Sequence, residues 1–405
     1  MAIDNKDKKV LKSSIEREQN EVACSAECEK IKGSKNLNVP PLRFPEFTEE
    51  WKAEQLDNIA TLSKGIGISK EQLSEDGEPC ILYGELYTKY KSEIIKQVES
   101  KTDINGSKLK RSKANDVIIP CSGETAVDIA TARCVPFDNI LFGGDLNVIS
   151  LHQYDGAFMS YQLNGKRKYD IARVAQGVSI VHLYGEHLKA IKTYNPTLPE
   201  QQKIAKLLSL LDDRIDTQNK IIEKLQSLIK GLAAQLTQSG TPNIRLCDCL
   251  ECHSSTLQEN CVSVTGSYPV YGATGLIGYT NNYAYNGESI LIVKDGSGVG
   301  SLSYVNDHFS VIGTLNYLTA KENYSILYLY YALMAFNFTP YITGMAIPHI
   351  YFKDYGKAKL FYPSIEKRIR IASLLHNIEQ KLVVEQNLVI SLSAQKSYLL
   401  RMLFI

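Results

Sequence analysis

The sequence predicts an α+β protein in which two domains are each followed by a long helix. Three observations predict this class: apolar residues at heptad spacing over residues 199–236, the same pattern near the C-terminal end, and a constant offset of 167 residues between the two. A chain of 405 residues has room for two or three domains with cores of their own. We therefore expect an internal repeat in the order domain, helix, domain, helix.

The first long helix is predicted from residues that recur at alternating intervals of four and three. A stripe with this spacing has to be buried against another helix, as in a coiled coil. The stripe consists of Ile204, Leu208, Leu211, Ile215, Gln218, Ile222, Leu225, Ile229, Leu232 and Leu236. One of its members, Gln218, is polar.

The second long helix repeats the stripe in the same register. Its members are Ile371, Leu375, Ile378, Leu382, Glu385, Val389, Leu392, Lys396, Leu399 and Leu403. The polar position Gln218 recurs as Glu385, and a polar residue in such a seam fixes the register at some cost in stability. We predict a helix–helix interface between the two stripes, centred on residues 204–225 and 371–392.

The repeat also extends upstream of the helices. Five residue types recur there 167 positions later. They are Gly177, His182, Tyr184, Lys192 and Pro196, which recur as Gly344, His349, Tyr351, Lys359 and Pro363. For His182 and His349 a structural role in a turn and a contact to DNA or a partner both remain open. Catalysis is disfavoured because no nucleophile and acid repeat beside the two histidines.

These patterns divide the chain into five parts. They are an N-terminal tail (residues 1–43), a first domain (44–198), a central helix (199–238), a second domain (239–365) and a C-terminal helix (366–405). In the first domain we expect strands near residues 80–83 and 117–120 and a helical piece over 160–174. In the second domain we expect the apolar residues 326–338 to form a core helix.

Basic residues cluster twice in the first domain. The first cluster contains Lys108, Lys110, Arg111 and Lys113, and the second contains Lys166, Arg167 and Lys168. Each cluster is either a solvated surface or a set of phosphate contacts, which would position the protein on DNA without reading its sequence. The formal net charge of +1 gives no overall basic field, so DNA contacts would have to be local or shared with another subunit.

Two motifs resemble ligand sites but are better explained otherwise. The glycine-rich residues 295–300 lack the Lys-Ser/Thr pair of a P-loop and precede a strand-like segment, which indicates a tight turn. A cysteine-rich cluster could ligate zinc, and it contains Cys247, Cys249, Cys252, His253 and Cys261. The first domain has no cysteines at the corresponding residues 56–60, so we expect no metal.

The sequence favours a cytoplasmic protein without a membrane segment. The first forty residues are charged and lack the apolar stretch of a signal peptide. The longest apolar run, residues 326–338, is too short to span a bilayer. Nine cysteines without a signal sequence indicate reduced thiols.

The starts of the helices carry a family resemblance. Residues 199–205 read Pro-Glu-Gln-Gln-Lys-Ile-Ala, with a weaker copy at 366–372, and residues 42–47 read Leu-Arg-Phe-Pro-Glu-Phe ahead of Trp51. Together these resemble the specificity subunit of type I restriction-modification enzymes, over nearly the whole chain after Leu42. The resemblance implies two target recognition domains, each reading one half of a bipartite site in double-stranded DNA, and two antiparallel helices that act as a spacer.

The resemblance also implies the partners and their cofactors. Two methylation subunits would dock on the helices and restriction subunits would join them. S-adenosylmethionine, ATP and Mg would bind to those subunits, which leaves this chain without a cofactor and without catalysis. The sequence agrees, since it contains neither an Asn-Pro-Pro-aromatic motif nor a Walker lysine. A coiled-coil adaptor with two protein-binding domains is the alternative, and the near-neutral charge favours it.

A helix over residues 200–237 would be about 57 Å long at ~1.5 Å per residue. Such an arm is long enough to separate two readers by about one turn of DNA, ~34 Å, or more. The length of the helix would then set the spacer between the half-sites.

Overall fold

The computed structural model describes residues 38–405, so residues 1–37 of the predicted tail lie outside the described part of the chain. The chain divides into two compact units. Of the described residues, the first unit takes in those from Asn38 to Leu210 together with Lys396–Ile405, and the second is Leu211–Gln395. Each unit holds one α+β domain and a part of each long helix.

The strands of the first unit are β1 (Lys52–Gln55), β2 (Ala60–Lys64), β3 (Glu78–Ile81), β4 (Lys101–Thr102), β5 (Lys110–Arg111), β6 (Asp116–Pro120), β7 (Ser122–Gly123), β8 (Arg133–Val135), β9 (Leu141–Phe142), β10 (Leu146–Leu151), β11 (Val181–His182) and β12 (Lys192–Asn195). Its short helices are α1 (Leu56–Ile59), α2 (Glu85–Thr88), α3 (Ala126–Ile129), α4 (Gly156–Asn164), α5 (Lys168–Val174) and α6 (Gly185–Lys189), with 3₁₀ turns at Lys70–Gln72 and Gly106–Lys108.

The strands of this unit form two main sheets. One is antiparallel in the order β2-β10-β6-β8, and the other is mixed in the order β4-β3-β9-β5, with β3 parallel to β9. Strand β1 pairs with β12, so the start of the domain lies against its end. Strand β11 pairs with β7.

Strand β6 is buried on both faces. Val117 and Ile119 pack into a core with α4 and α5, whereas Ile118 packs into a second core that includes Phe142. A strand covered on both sides is apolar at consecutive positions. This explains why residues 117–120 were predicted as a strand, a prediction that β6 confirms.

The helical piece expected over residues 160–174 is two helices, α4 and α5. The backbone N–H of Gly165 donates to the Tyr161 carbonyl and ends α4, and residues 165–167 form a turn before α5. Glycine ends helices readily because it has no Cβ to clash in the terminal turn.

The long helix α7 (Leu198–Thr237) joins the two domains. The second unit then continues with β13 (Ile244–Arg245), α8 (Leu246–Cys249), β14 (Leu250–Ser254), a 3₁₀ turn (Glu259–Cys261), β15 (Tyr268–Gly272), β16 (Gly275–Thr280), β17 (Tyr285–Val293), β18 (Leu302–Val311), β19 (Leu315–Ala320), α9 (Ile326–Met334), a 3₁₀ turn (Thr339–Tyr341), α10 (Phe352–Tyr355) and β20 (Lys359–Leu360). The second long helix, α11 (Ile365–Met402), closes the chain.

The second domain is built on a six-stranded sheet in the order β14-β19-β17-β18-β15-β16. Its strand β17 is again buried on both faces, with Ile290 packed towards α9 and Leu291 towards the opposite core. Helix α9 confirms the core helix predicted within residues 326–338. The hydroxyls of Tyr330 and Tyr331 on α9 donate to the Glu379 carboxylate at 2.8 and 2.6 Å.

The two domains have cores of the same arrangement, although their sheets differ in number and length of strands. Strands β2, β10 and β6 with helix α4 recur, in the same order, as β14, β19 and β17 with helix α9. The register of the central strand pair is also the same. The first residue of β10, Leu146, lies opposite the last residue of β6, Pro120, and the first residue of β19, Leu315, lies opposite the last residue of β17, Val293. The internal repeat of the sequence is therefore also a repeat of structure.

The long helices run antiparallel. In the first unit, Ile204 and Leu208 near the start of α7 pack with Leu403 at the end of α11. In the second unit, Ala233 near the end of α7 packs with Ile371 near the start of α11. Contacts between opposite ends require opposite directions.

Candidate nucleic-acid interface

The first basic cluster lies around β5, an edge strand of the mixed sheet in the first unit. Lys108 and Lys113 are exposed and Lys110 is half-buried. Arg111 is engaged within the protein, because its guanidinium donates to both carboxylate oxygens of Glu78 at 2.6 and 3.0 Å. This hydrogen bonding lowers the pKa of Glu78. The three lysines are therefore better placed than Arg111 to meet a phosphate.

The second basic cluster spans the turn between α4 and α5. Lys166 is exposed and Lys168, at the start of α5, is half-buried. The Arg167 guanidinium donates to the main-chain oxygen of Ile405 at 3.0 Å and pairs with Asp170 at 3.1 Å. Arg167 thus ties the first domain to the end of the chain.

His182 lies in an exposed loop of the first unit, residues 176–184, which we term the first repeat loop. Gln176 and His182 close it by exchanging two backbone hydrogen bonds, of 2.9 and 2.7 Å. The His182 ring stacks on Tyr184 with centroids 6.2 Å apart. The Lys64 ammonium lies 5.7 Å from the centre of the same tyrosine ring, within cation–π range.

His349 lies in the matching loop of the second unit, residues 343–351, which we term the second repeat loop. Thr343 and His349 exchange two backbone hydrogen bonds, of 2.9 and 2.8 Å. The His349 and Tyr351 rings have centroids 5.0 Å apart, and the Lys353 ammonium lies 5.1 Å from the centre of the Tyr351 ring. Both loops therefore end in a histidine and a tyrosine, with a lysine beside the tyrosine.

A glycine is required at the same position of both repeat loops. Gly177 has a φ of +125° and Gly344 a φ of +91°. A Cβ atom added to Gly177 would lie 2.1 Å from the carbonyl oxygen of Ile180, and one added to Gly344 would lie 2.3 Å from that of Ile347. The glycines that the repeat preserves thus have a common structural cause.

The tips of the two repeat loops are apolar and exposed, a feature that the sequence analysis missed. Val178 and Ile180 are 82% and 60% exposed, and Met345 and Ile347 are 105% and 66% exposed. The offset of 167 aligns the two pairs and could have marked them. Sequence alone, however, does not distinguish an exposed apolar residue from a core residue.

A cleft of ≈ 560 Å³ opens beside the second repeat loop. It is lined by Cys252, Ser254, Lys294, Asp295, Asn316, Tyr351, Phe352 and Lys353. The glycine-rich residues 295–300 form a turn at its edge, as predicted, and the Gly296 N–H donates to the Pro348 carbonyl at 2.9 Å. The turn therefore supports the second repeat loop.

The residues predicted for the helix–helix interface are all at least partly buried. Buried or half-buried are Ile204, Leu208, Leu211, Ile215, Gln218, Ile222 and Leu225 on α7 and Ile371, Leu375, Ile378, Leu382, Glu385, Val389 and Leu392 on α11. At the polar position of the seam, the Gln218 amide donates to the Glu385 carboxylate. Both of these residues belong to the second unit.

The cysteine cluster of the second domain is dispersed. Cys249 lies in the buried core and Cys261 is exposed in a 3₁₀ turn. Burial raises the pKa of the Cys249 thiol to about 12 and that of Cys252 to about 11, which disfavours the thiolate that binds zinc. Within residues 38–405, no group of three or more His, Cys, Asp or Glu side chains is arranged to hold a metal ion. Over the same residues, no helix is long and apolar enough to cross a membrane.

Comparison with known families gives two matches to one model. Residues 48–227 and 244–392 match the type I restriction modification DNA specificity domain. A repeated domain on antiparallel helices, matched twice in this way, defines a DNA-specificity protein. The chain belongs to the type I restriction modification DNA specificity family. Membership in this family favours DNA recognition over the adaptor alternative.

Individual relatives agree with the family. The EcoprrI type I restriction enzyme specificity subunit of Escherichia coli is 28% identical over 112 residues, which are 28% of each chain. The MjaVIII specificity subunit of Methanocaldococcus jannaschii is 27% identical over 208 residues, 49% of this chain and 44% of the relative. The matched stretches therefore span less than half of either relative.

Two solved structures share the fold. The S subunit of a type I restriction-modification system from M. genitalium has a TM-score of 0.66 at 19% identity, covering 91% of this chain and 99% of that chain. A structure that describes complex assembly and conformational transition of the type I R-M system has a TM-score of 0.51 at 15% identity, covering 89% and 98%.

Proposed function

We propose that the chain is the specificity subunit of a type I restriction-modification complex, in which each domain reads one half of a bipartite site in double-stranded DNA. One observation carries the proposal: the DNA specificity domain of the family occurs twice in the chain, in two units that repeat one core. Two DNA-recognition domains in one polypeptide can each bind one half of a bipartite site.

The two domains differ where base contacts would be made. Bases are read by side chains that enter the grooves of DNA, mostly from edges and loops. The first domain has the edge strand β5 with its lysines, whereas the second has the β15–β16 hairpin. Near this hairpin, Tyr283 is exposed and its ring lies 4.5 Å from His308 and 4.9 Å from Tyr268. Different peripheries on a repeated core are what reading two different half-sites requires.

The lysines of the two basic clusters are proposed to bind phosphates. These are Lys108, Lys110, Lys113, Lys166 and Lys168. Arg111 and Arg167 would contribute indirectly, because their guanidinium groups hold Glu78 and the end of the chain. Phosphate contacts position a protein on the duplex, so the loss of one lysine should weaken binding to all sequences alike. His182 and His349, at the ends of the repeat loops, are proposed as further DNA contacts.

The long helices are proposed to dock two methylation subunits, with restriction subunits joining the complex. Apolar side chains remain exposed on both helices, among them Leu210 on α7 and Ile369, Val384 and Ile390 on α11. Exposed apolar side chains supply surface that a bound protein partner would bury. Methyl transfer with S-adenosylmethionine, and cleavage with ATP and Mg, would take place on those subunits and not on this chain.

A domain exchange tests the proposal. Residues 44–198 are replaced by the equivalent domain of another family member, and the chain is expressed with its methylation subunits. Sequencing of methylated genomic DNA should then show one half-site changed and the other retained. Two changed half-sites, or the same methylation without this chain, would exclude a two-reader specificity subunit.

A further inference from the structure

The exposed apolar tips of the two repeat loops have no role in the proposed function. Residues of this kind usually lie in a core, yet Val178 and Met345, at matching positions of the two loops, are 82% and 105% exposed. Both loops are held at their bases. Two backbone hydrogen bonds close each loop, and Leu183 and Ile350 just after them are buried in the domain cores.

The repetition of the loops narrows what they can bind. If the two domains read different half-sites, an element that recurs in both with the same geometry must meet something common to both half-sites. Two candidates fulfil this condition: the DNA duplex itself and a methylation subunit, one copy of which would serve each domain.

The surroundings of the loops favour DNA. At the base of the first repeat loop lie Tyr184, the Lys64 ammonium and His182, and at the base of the second lie Tyr351 and Lys353. An apolar tip with cations beside it is complementary to a partner that has an anionic surface and an apolar interior. A DNA duplex has this character, since its phosphates flank a stack of bases, and proteins that kink DNA insert Ile, Met and similar side chains between base steps.

We infer that the two repeat loops insert their apolar tips into the base stack, one loop in each half-site, while the adjacent lysines contact the flanking phosphates. This inference rests on the proposed function. An enzyme that modifies a base inside a duplex has to take that base out of the stack. A wedge supplied by the specificity subunit would loosen the stack next to the adenine that the methylation subunit modifies.

The test uses the full chain assembled with its methylation subunits. The duplex carries both half-sites, as read from methylated genomic DNA, with 2-aminopurine beside the modified adenine of one half-site or the other. The fluorescence of 2-aminopurine rises when its neighbours unstack. One variant carries Val178→Ser with Ile180→Ser, and another carries Met345→Ser with Ile347→Ser. All four side chains are exposed, so the substitutions leave no cavity in the core.

Each variant should lose the fluorescence rise in one half-site and keep it in the other, so that each serves as the control for its counterpart. Val264→Ser, at a side chain of the second domain that is 91% exposed, should keep both signals. The inference is overturned if both variants retain both signals. It is also overturned if they no longer co-elute with the methylation subunits, because the tips would then bind protein. A wild-type complex without specific DNA binding would refute the proposed function itself.

Discussion

At the start of α7, a buried ion pair fixes the segment that precedes the first domain. Glu200 is fully buried, and the Arg43 guanidinium donates to its two carboxylate oxygens at 2.7 Å each. The Trp51 indole N–H donates to the same carboxylate at 3.3 Å. The hydrogen bond to Glu200 raises the pKa of Arg43. A buried charge is tolerated only with such partners, so residues 38–51 are coupled to the helix.

Substitution Glu200→Gln should therefore be costly. The half-buried Arg43 guanidinium would lose its charge partner, and we expect the free energy of unfolding to fall by about 1–3 kcal/mol. Urea unfolding followed by the fluorescence of Trp51, the single tryptophan of the chain, measures this directly. The control is Glu366→Gln at the exposed start of α11, which should leave the curve in place. Equal effects of the two changes would refute the coupling.

The glycines of the repeat loops give a second prediction at this scale. Gly177→Ala and Gly344→Ala each place a Cβ against a backbone oxygen at a positive φ, and we expect a loss of about 1–3 kcal/mol for each. Gly84→Ala is the matched control, since its Cβ would meet no atom within 4 Å. Thermal unfolding of the three variants distinguishes them. If all three melted alike, the strained turn would have no energetic consequence.

At the level of elements, the helices were the most predictable part of the chain. A seam that repeats over ten positions indicates the extent of the helix and its polar break, and α7 begins and ends within one residue of the predicted residues 199–236. The mixed sheet of the first domain was not predictable in the same way. Its strands β4, β5 and β9 have two residues each, too few for any periodicity to register.

In the candidate site, too, only the residues that follow a sequence pattern were predictable. His182 and His349 were identified because the repeat preserves them. The exposed tips beside them were not, because exposure depends on the backbone path that Gly177 and Gly344 impose. The engagement of Arg111 with Glu78 was equally hidden, since 33 residues separate the two in the sequence.

The polar pair in the seam can be tested by a double-mutant cycle. Glu385→Leu leaves the buried Gln218 amide without its acceptor, which should cost about 1–3 kcal/mol. Leucine at both positions should restore or exceed the original stability. The register between the two helices should then be less strictly fixed, because the polar pair that specifies it is gone. Unfolding by urea gives the four free energies. Asp216→Asn, which breaks the exposed pair with Lys220, is the control and should leave stability unchanged, because water screens exposed ion pairs. Strictly additive effects at Gln218 and Glu385 would argue against a specific pair.

At the scale of the whole molecule, the domains and the helices have separate proposed tasks. Each long helix has residues in both units, and each unit holds one DNA specificity domain. A net charge of +1 means that affinity for DNA cannot come from a general basic surface. We accordingly expect binding to depend on the local lysines and on the assembled complex, with the helix pair setting the spacing of the half-sites.

The most direct test of this central claim is an insertion of about four helix-forming residues next to Gln238, about one helical turn, followed by sequencing of methylated genomic DNA. The insertion lies beyond the last seam residue of α7, so the Gln218–Glu385 register is retained. We predict a longer spacer between two unchanged half-sites. An unchanged spacer, or an altered half-site, would contradict the assignment of spacing to the helices and of sequence to the domains.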